Sequence, residues 1–270
     1  MKYKCLSIAG FDGSGGAGIQ ADLKTFSALG CYGMTVLTAL PVQNTCGVRN
    51  CYDIPLIAIQ EQLEAIFDDI TPDSIKIGML FSASIIELVT NFLKLRAATI
   101  PIILDPVMVA KSGDPLLQAD AIIALKTLLI PISTLITPNL PEAYALANTA
   151  HESNSNLASD LLNLGCHAVL LKGGHDHGPT SDDIFLDRQG SSHTLSSERI
   201  ASKNCHGTGC TLSAAIASFV AQGVPLLEAC IRAKAYLSAA MWAARDNSVG
   251  KGHGPVHHFY QWDFNTKNST

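Results

Sequence analysis

The sequence predicts an α/β fold: a mostly parallel central sheet covered by helices on both faces. Short β-rich runs alternate with helix-like stretches along nearly the whole chain. Those runs are close to continuously apolar, as strands buried on two faces must be. Polar residues then gather just after the runs, at Asp105, Asn139 and Lys172. Open parallel sheets bind ligands outside the carboxyl ends of their strands, so three such residues point to one shared crevice. Ordinary loop polarity is the plainer reading of each taken alone.

Residues 3–9 read as a buried strand, followed by a glycine-rich loop over 10–18. A helix follows at 19–29, with Gly30 as its C-cap. Residues 32–40 form the next strand, and 55–68 a helix opened by proline. A short strand at 74–77 precedes Gly78. The stretch 82–95 has helical spacing, with Ile85, Ile86, Val89, Phe92 and Leu93 on its apolar side. Strands at 102–104, 135–137 and 168–171 lead to Asp105, Asn139 and Lys172. Strands at 184–186 and 193–195 flank Gln189-Gly190 as a hairpin. Two long helices, 208–222 and 225–245, close the chain. No linker divides it, so 1–270 reads as one domain, with 250–270 as a partly loose polar and aromatic tail.

The chain has 270 residues, 47% of them hydrophobic, enough for a large core. A net charge of -5 without basic clusters argues against nucleic acid, whose binding rests on neutralising phosphates. Eight cysteines contain no C-x-x-C pair, which argues against zinc and redox dithiols and suits a reducing cytoplasm. Residues 1–20 lack a signal-peptide pattern. No apolar run reaches membrane-spanning length; Lys126 and Pro131 break the best one.

Residues 13–18, Gly-Ser-Gly-Gly-Ala-Gly, fit the dinucleotide pattern G-x-G-x-x-G between a strand and a helix. The acid that should support a ribose is missing: the end of the second strand reads Pro41-Val42-Gln43. A Walker A loop is absent as well. The glycines instead let the backbone approach a flat small molecule. Asp22, one turn later, is either a ligand contact or a solvated first-turn acid.

The second glycine loop, His206-Gly207-Thr208-Gly209-Cys210, runs straight into a helix. The first N–H groups of a helix lack partners and its start carries positive potential, so this turn is built to receive phosphate. Phosphoryl transfer depends mainly on positioning and charge stabilisation. The amides of Gly207, Thr208, Gly209 and Cys210 are placed for that task. A thiol at a helix start is expected to be acidified, to about 3.5–7.5, and then to act as a general base. The alternative for Cys210 is a small buried hydrophobe; the glycine frame favours the first reading.

At this point a resemblance becomes legible. The stretches SGGAGIQADLKTFSALG at 14–30, QNT at 43–45, KIGML at 76–80, LDPVMVAKSG at 104–113, LITPNLPEA at 135–143, LLKGGH at 170–175, KNCHGTGCTLSAA at 203–215 and GPVHHF at 254–259 carry it. They resemble the hydroxymethylpyrimidine and phosphomethylpyrimidine kinases of thiamine biosynthesis, within the ribokinase-like superfamily. The resemblance implies a ribokinase-like sheet, often a homodimer, and ATP with Mg2+. It implies two transfers, to the hydroxymethyl oxygen and then to the resulting monophosphate. It assigns Gln43 to the aminopyrimidine edge, and Gly10, Ala17, Asp22 and Met79 to the rest of that pocket. Asp105 and Glu142 match the acids near magnesium. Asp105, Asn139 and Lys172 fall on the ATP side, with Lys234 assisting. Gly207 to Cys210 match the anion hole, with Cys210 in the position of the base. Phe11, Gly13, Pro41 and Cys205 depart from the usual pattern and put loop rigidity, rather than the reaction, in question.

Two other readings stand beside this one. A pyridoxal kinase shares the fold and a similar glycine loop, and Gln43 in its QNT setting favours the pyrimidine. A pyrimidine sensor without catalysis would need neither an anion hole nor a base. The histidines at 175, 177, 253, 257 and 258 do not fit a closed metal site and read as structural or nucleotide-adjacent.

Overall fold

A computed structural model describes residues 2–108, 120–147, 153–175, 178–247 and 249–262. The first apolar run forms β1 (Lys4–Ala9), and the glycine loop leads into α1 (Gly18–Ala28) and β2 (Tyr32–Leu37). Next come β3 (Ala39–Asn44), β4 (Gly47–Asp53) and α2 (Leu56–Asp69). Strand β5 (Ser74–Ile77), α3 (Ala83–Arg96) and β6 (Ile102–Leu104) repeat the alternation. A short α4 (Ala121–Ala124) continues through a wider π-helical turn (Leu125–Leu129) and a tighter 3-10 turn (Ile130–Ile132) towards β7 (Leu135–Ile136) and α5 (Leu140–Ala147). Then follow α6 (Asn154–Leu162), β8 (Ala168–Leu171) and the hairpin β9 (Thr180–Asp187) and β10 (Ser192–Glu198). Helices α7 (Thr208–Ala221) and α8 (Leu226–Ala244) close the sequence.

Eight strands form one sheet in the order β10-β9-β8-β7-β6-β5-β1-β2. From β2 across to β8 the pairing is parallel; β9 and β10 add an antiparallel edge. Side chains of a strand point alternately to the two faces, and the two cores follow that alternation. Leu6, Ile8, Ile75, Ile77, Ile102 and Leu104 pack with α2, α3, α5 and α6. Cys5, Ile103, Leu135, Ala168 and Leu170 pack on the other face with α1, α7 and α8. The strand order reverses at β1, which lies between β2 and β5, so a crevice opens beyond the carboxyl ends of β1 and β5.

One expectation fails here. Residues 32–40 are not a single strand. The chain leaves the main sheet at Thr38, whose hydroxyl donates to the Met79 carbonyl at 2.6 Å. It then forms a separate two-stranded sheet, β3 with β4. The apolar run hid the break because Ala39 is also buried, in a small cluster with Met79. The β9–β10 hairpin is longer than its apolar centre suggested.

The described part of the expected tail is bonded to the rest of the chain. The His206 amide donates to the Gly254 carbonyl at 3.0 Å, and the His253 amide to that of Thr45 at 2.9 Å. Residues 263–270 lie outside the described residues. Among the described residues no helix is long and apolar enough to cross a membrane.

Candidate active site

The first glycine loop is organised from within by Asp12. This side chain is fully buried. Its Oδ1 accepts from the Ser14 amide (2.9 Å) and hydroxyl (2.7 Å). Its Oδ2 accepts from the amides of Gly16 (3.0 Å) and Ala17 (2.7 Å). Those amides point inwards, at a carboxylate the chain itself supplies. That is why the loop fits a dinucleotide pattern yet does not present the cradle such a site needs. The sequence reading passed over Asp12, although an acid just before a glycine run is the signal that would have found it.

The second glycine loop meets the first. His206 Nε2 lies 2.8 Å from Asp12 Oδ2. Gly207 takes φ +75°, and a Cβ there would collide with the Gly16 carbonyl. Only glycine satisfies both demands. The Gly18 backbone stands close enough to the Cys210 sulfur to favour its charged form. The turn at 207–210 is therefore packed against the early glycine turn.

Burial by itself would raise the Asp12 carboxyl, but the hydrogen bond from His206, then those from Ser14 and Ala17, hold it at about 2. Its ordinary value is 3.8. A carboxyl depressed on folding stabilises the fold above its unfolded value and loses that contribution as pH falls through its folded one. Asp12 should accordingly contribute about 2 kcal/mol at neutral pH, lost between about pH 4 and pH 2. Urea midpoints across that range should fall more steeply for the wild type than for Asp12→Asn. Parallel slopes would count against the assignment.

On the far side of the loop stand the strand-end residues. Asp105 is buried and accepts from Lys172 Nζ at 2.7 Å and from the Thr137 hydroxyl at 3.2 Å. Its other oxygen faces the helix start: a Cβ on Gly209 would lie 3.1 Å from Asp105 Oδ2 and 3.4 Å from Lys172 Nζ. Burial works against the Lys172 ammonium, but Asp105 and Glu142 outweigh it and raise its affinity for the proton. Glu142 is itself buried, and that burial pushes it up to about 7 despite the pull of Lys172. The charge of Asp105 raises it further, so these two carboxylates sense one another.

Asn139 and Glu142 form a reciprocal cap at the start of α5. The Asn139 amide donates to Glu142 Oε2 at 2.8 Å, and the Glu142 amide to Asn139 Oδ1 at 2.9 Å. Asn139 also bridges to Lys172 across the strand ends. It positions Glu142 and Lys172, with its own side chain engaged in the cap.

Gly10, Met79 and Gln43, which the resemblance assigns to the pyrimidine, stand close to the first loop. A Cβ on Gly10 would lie 3.0 Å from the Met79 sulfur. Gln43 stands at a bulge in β3, where the register shifts between Val42 and Gln43. The bulge turns its side chain towards the first loop, and Nε2 donates to the Phe11 carbonyl at 3.2 Å. Ala17 stands at the loop's end, just before α1. Phe81, two residues after Met79, holds φ +65°, a conformation that bulky residues adopt mainly where a site imposes it.

Three expectations need correction. Asp22 is not a solvated first-turn acid. It is fully buried, with Oδ2 bound to Lys76 Nζ at 2.8 Å and to the Ser7 hydroxyl. Lys234 is spent on Asp183 at 2.8 Å, while that acid's other oxygen takes the Gly173 amide at 2.9 Å. The Cys210 thiol is not acidified by its helix start. Burial pushes it up to about 11, against the pull of Lys76 and with the charges of Asp22 and Asp105 adding to the rise. No local feature of the sequence reveals that the charges of Lys76, Asp22 and Asp105 act on that sulfur.

Of the histidines, His258 is buried, 3.1 Å from the Thr211 hydroxyl, and burial lowers it to about 3. His177 and residues 109–113 lie outside the described residues.

A sheet that brings an acid, a lysine and a second acid to the glycine-opened start of a helix, packed against an earlier glycine loop, defines a small-molecule kinase of the ribokinase-like class. The chain belongs to the phosphomethylpyrimidine kinase family, whose pattern matches residues 12–257. It is 50% identical over 266 residues to the hydroxymethylpyrimidine/phosphomethylpyrimidine kinase of Salmonella typhimurium, covering 97% of this chain and 99% of that protein. It is 48% identical over 257 residues to a thiamine biosynthesis bifunctional protein of Geobacter sulfurreducens, covering 94% of this chain and 51% of that one. Among solved structures it resembles the ADP complex of Bacillus subtilis pyridoxal kinase, with a TM-score of 0.88 and 35% identity, over 97% of this chain and 99% of that one.

Proposed function

We propose that this chain transfers a phosphoryl group from ATP to the hydroxymethyl oxygen of 4-amino-5-hydroxymethyl-2-methylpyrimidine, and then a second to the monophosphate, in thiamine biosynthesis. One observation carries the reading. The helix start at Gly207–Cys210 touches the first glycine loop at Gly16 and Ala17 on one side and the Asp105–Lys172 pair on the other.

In this reading the ring lies against Gly10, Ala17 and Met79. Gln43 offers an acceptor and a remaining N–H to the amino group and ring nitrogen. The hydroxymethyl oxygen attacks the terminal phosphorus of ATP while its proton passes to the Cys210 sulfur. The bond to the leaving ADP breaks, and the amides of Gly207 to Cys210 meet the charge on the moving group. Lys172 faces the phosphates. Asp105 and Glu142 suit Mg2+: both offer hard carboxylate oxygens, and the charge of Asp105 adds to the cost of ionising Glu142, which a cation would relieve. Bound there, Mg2+ would neutralise phosphate charge.

The chain is read as one domain and as cytoplasmic. A homodimer is proposed with it; the exposed Leu40, Val42 and Tyr52 on the hairpin of β3 and β4 offer an apolar face, and sedimentation tests this. Incubation with ATP, Mg2+ and the pyrimidine should yield the mono- and then the diphosphate by mass. Folded protein that yields neither would remove the reading.

The likeness to a pyridoxal kinase makes weak turnover of pyridoxine an expected side activity. Offered both rings at equal concentration, the enzyme should favour the pyrimidine. Gln43→Leu should erode that preference by ten- to a hundredfold, because a lost pair of polar contacts to a ligand is worth about 1–3 kcal/mol. A preference unchanged in Gln43→Leu would place ring recognition elsewhere.

A further inference from the structure

We propose that Asp12 and His206 are positioning residues for phosphoryl transfer: a clasp that holds the pyrimidine loop and the phosphate loop at a fixed separation. The inference rests on the reading above and concerns how its two half-sites are kept in register.

The two loops are almost two hundred residues apart in sequence. Asp12 ties them together. Its carboxylate collects the amides of Ser14, Gly16 and Ala17 and the Ser14 hydroxyl, which fixes the first loop. The same Oδ2 then takes His206 Nε2 at 2.8 Å. Its own amide is anchored to Gln20 Oε1 at 2.8 Å, one turn into α1. On the other side His206 is held through its main chain, by the Gly254 carbonyl and a bridge to Pro255. The ring lies directly on Gly16, where any Cβ would strike it. Ring and main chain together set the residue that precedes Gly207, and so the direction of the amides that follow.

A buried carboxylate satisfied by five hydrogen bonds, one of them from another segment, over-determines its surroundings. The chemistry needs that. The attacking oxygen rides on the first loop's pocket and the phosphorus on the second loop's amides. A misplacement of about 1 Å between such groups costs on the order of 10²-fold in rate. In the reading above, the ring's contacts stand with the first loop and those of the phosphates with the second, and neither set spans both, so binding of either ligand should survive a loosened clasp.

His206→Leu removes the ring's donor at similar size, and His206→Gln returns a nitrogen donor to the Nε2 position. His206→Leu should lower kcat about 10²-fold, with KM for ATP and for the pyrimidine within about threefold of wild type, and His206→Gln should recover most of the loss. Asp12→Asn sets an amide N–H2 against N–H donors whichever way it is turned, and should repeat the His206→Leu result; it carries the comparison should the leucine variant fold poorly. Hydrogen exchange at the amides of Thr208 and Gly209, followed without ligands, should quicken in both damaged variants and not in His206→Gln. Wild-type kcat in folded His206→Leu, a loss confined to KM, or equal damage in His206→Gln and His206→Leu would overturn the clasp. A wild type that phosphorylates neither ring would instead overturn the kinase reading, and the exchange rates would still decide whether His206 holds the second loop.

Discussion

Cys210→Ala should keep its fold and its ligands but lose most of its turnover. General-base catalysis by a positioned side chain is worth about 10²–10⁴-fold, so kcat should fall by that factor, equivalent to about 3–5 kcal/mol of barrier. Removing one sulfur from a half-buried position at the mouth of α7 should cost the fold little. Calorimetric titration with the pyrimidine should give an affinity close to wild type. The raised thiol adds a sign to this expectation. Burial drives Cys210 to about 11, so near neutral pH it carries its proton and the basic thiolate is the minor form. Raising pH enlarges that fraction about tenfold per unit until the thiol titrates, so kcat/KM should climb between about pH 6 and pH 9 while chemistry limits the rate. The alanine variant should lack the climb. Turnover equal to wild type in the variant would show that another group takes the proton.

How much of this was legible beforehand follows from what each feature depends on. The main sheet was legible because strands buried on both faces must be apolar throughout; 102–104 and 168–171 were placed to the residue. The hairpin of β3 and β4 was not, since its first strand continues an apolar run and only a tertiary bond, Thr38 to Met79, breaks it. The helix start at Gly207 was legible because glycine spacing is a local property. Asp12, His206 and Lys76 were passed over for the opposite reason. Their meaning lies in partners 194, 194 and 54 residues away. The acidity of Cys210 was misjudged on the same ground: the helix start is local, but the burial and charges that override it come from β5, α1 and the end of β6.

Lys76 follows from that last point and carries the largest expected effect on stability. It is fully buried on the α7 side of β5, beside the fully buried Asp22. Two residues earlier on the same face, the Ser74 hydroxyl donates to the Ala217 carbonyl of α7 at 2.8 Å, so the helix lies directly over this row. Burial opposes the Lys76 ammonium, yet Asp22 first, then Cys210 and Asp105, raise its hold on the proton. Asp22 is pushed the other way, its carboxyl raised by burial against the pull of Lys76, and its Oδ1 has no hydrogen-bond partner. Each charge is therefore tolerable only because the other is present. Lys76→Met leaves a lone buried carboxylate and should cost about 3–5 kcal/mol, a drop in melting temperature on the order of 10 °C for a chain of this size. The loss has a pH dependence of definite sign. Without its partner Asp22 folds best in the protonated form, so the penalty is smallest below about pH 4 and grows as rising pH forces charge on a group whose folded pKa lies above its unfolded one. Lys76→Met with Asp22→Asn removes both charges and should regain most of the stability. Melting curves of the two variants at pH 5 and pH 8 decide it. If the single variant melts with the wild type, or the double variant melts no higher than the single one, the pair is not the mutual counter-charge described here.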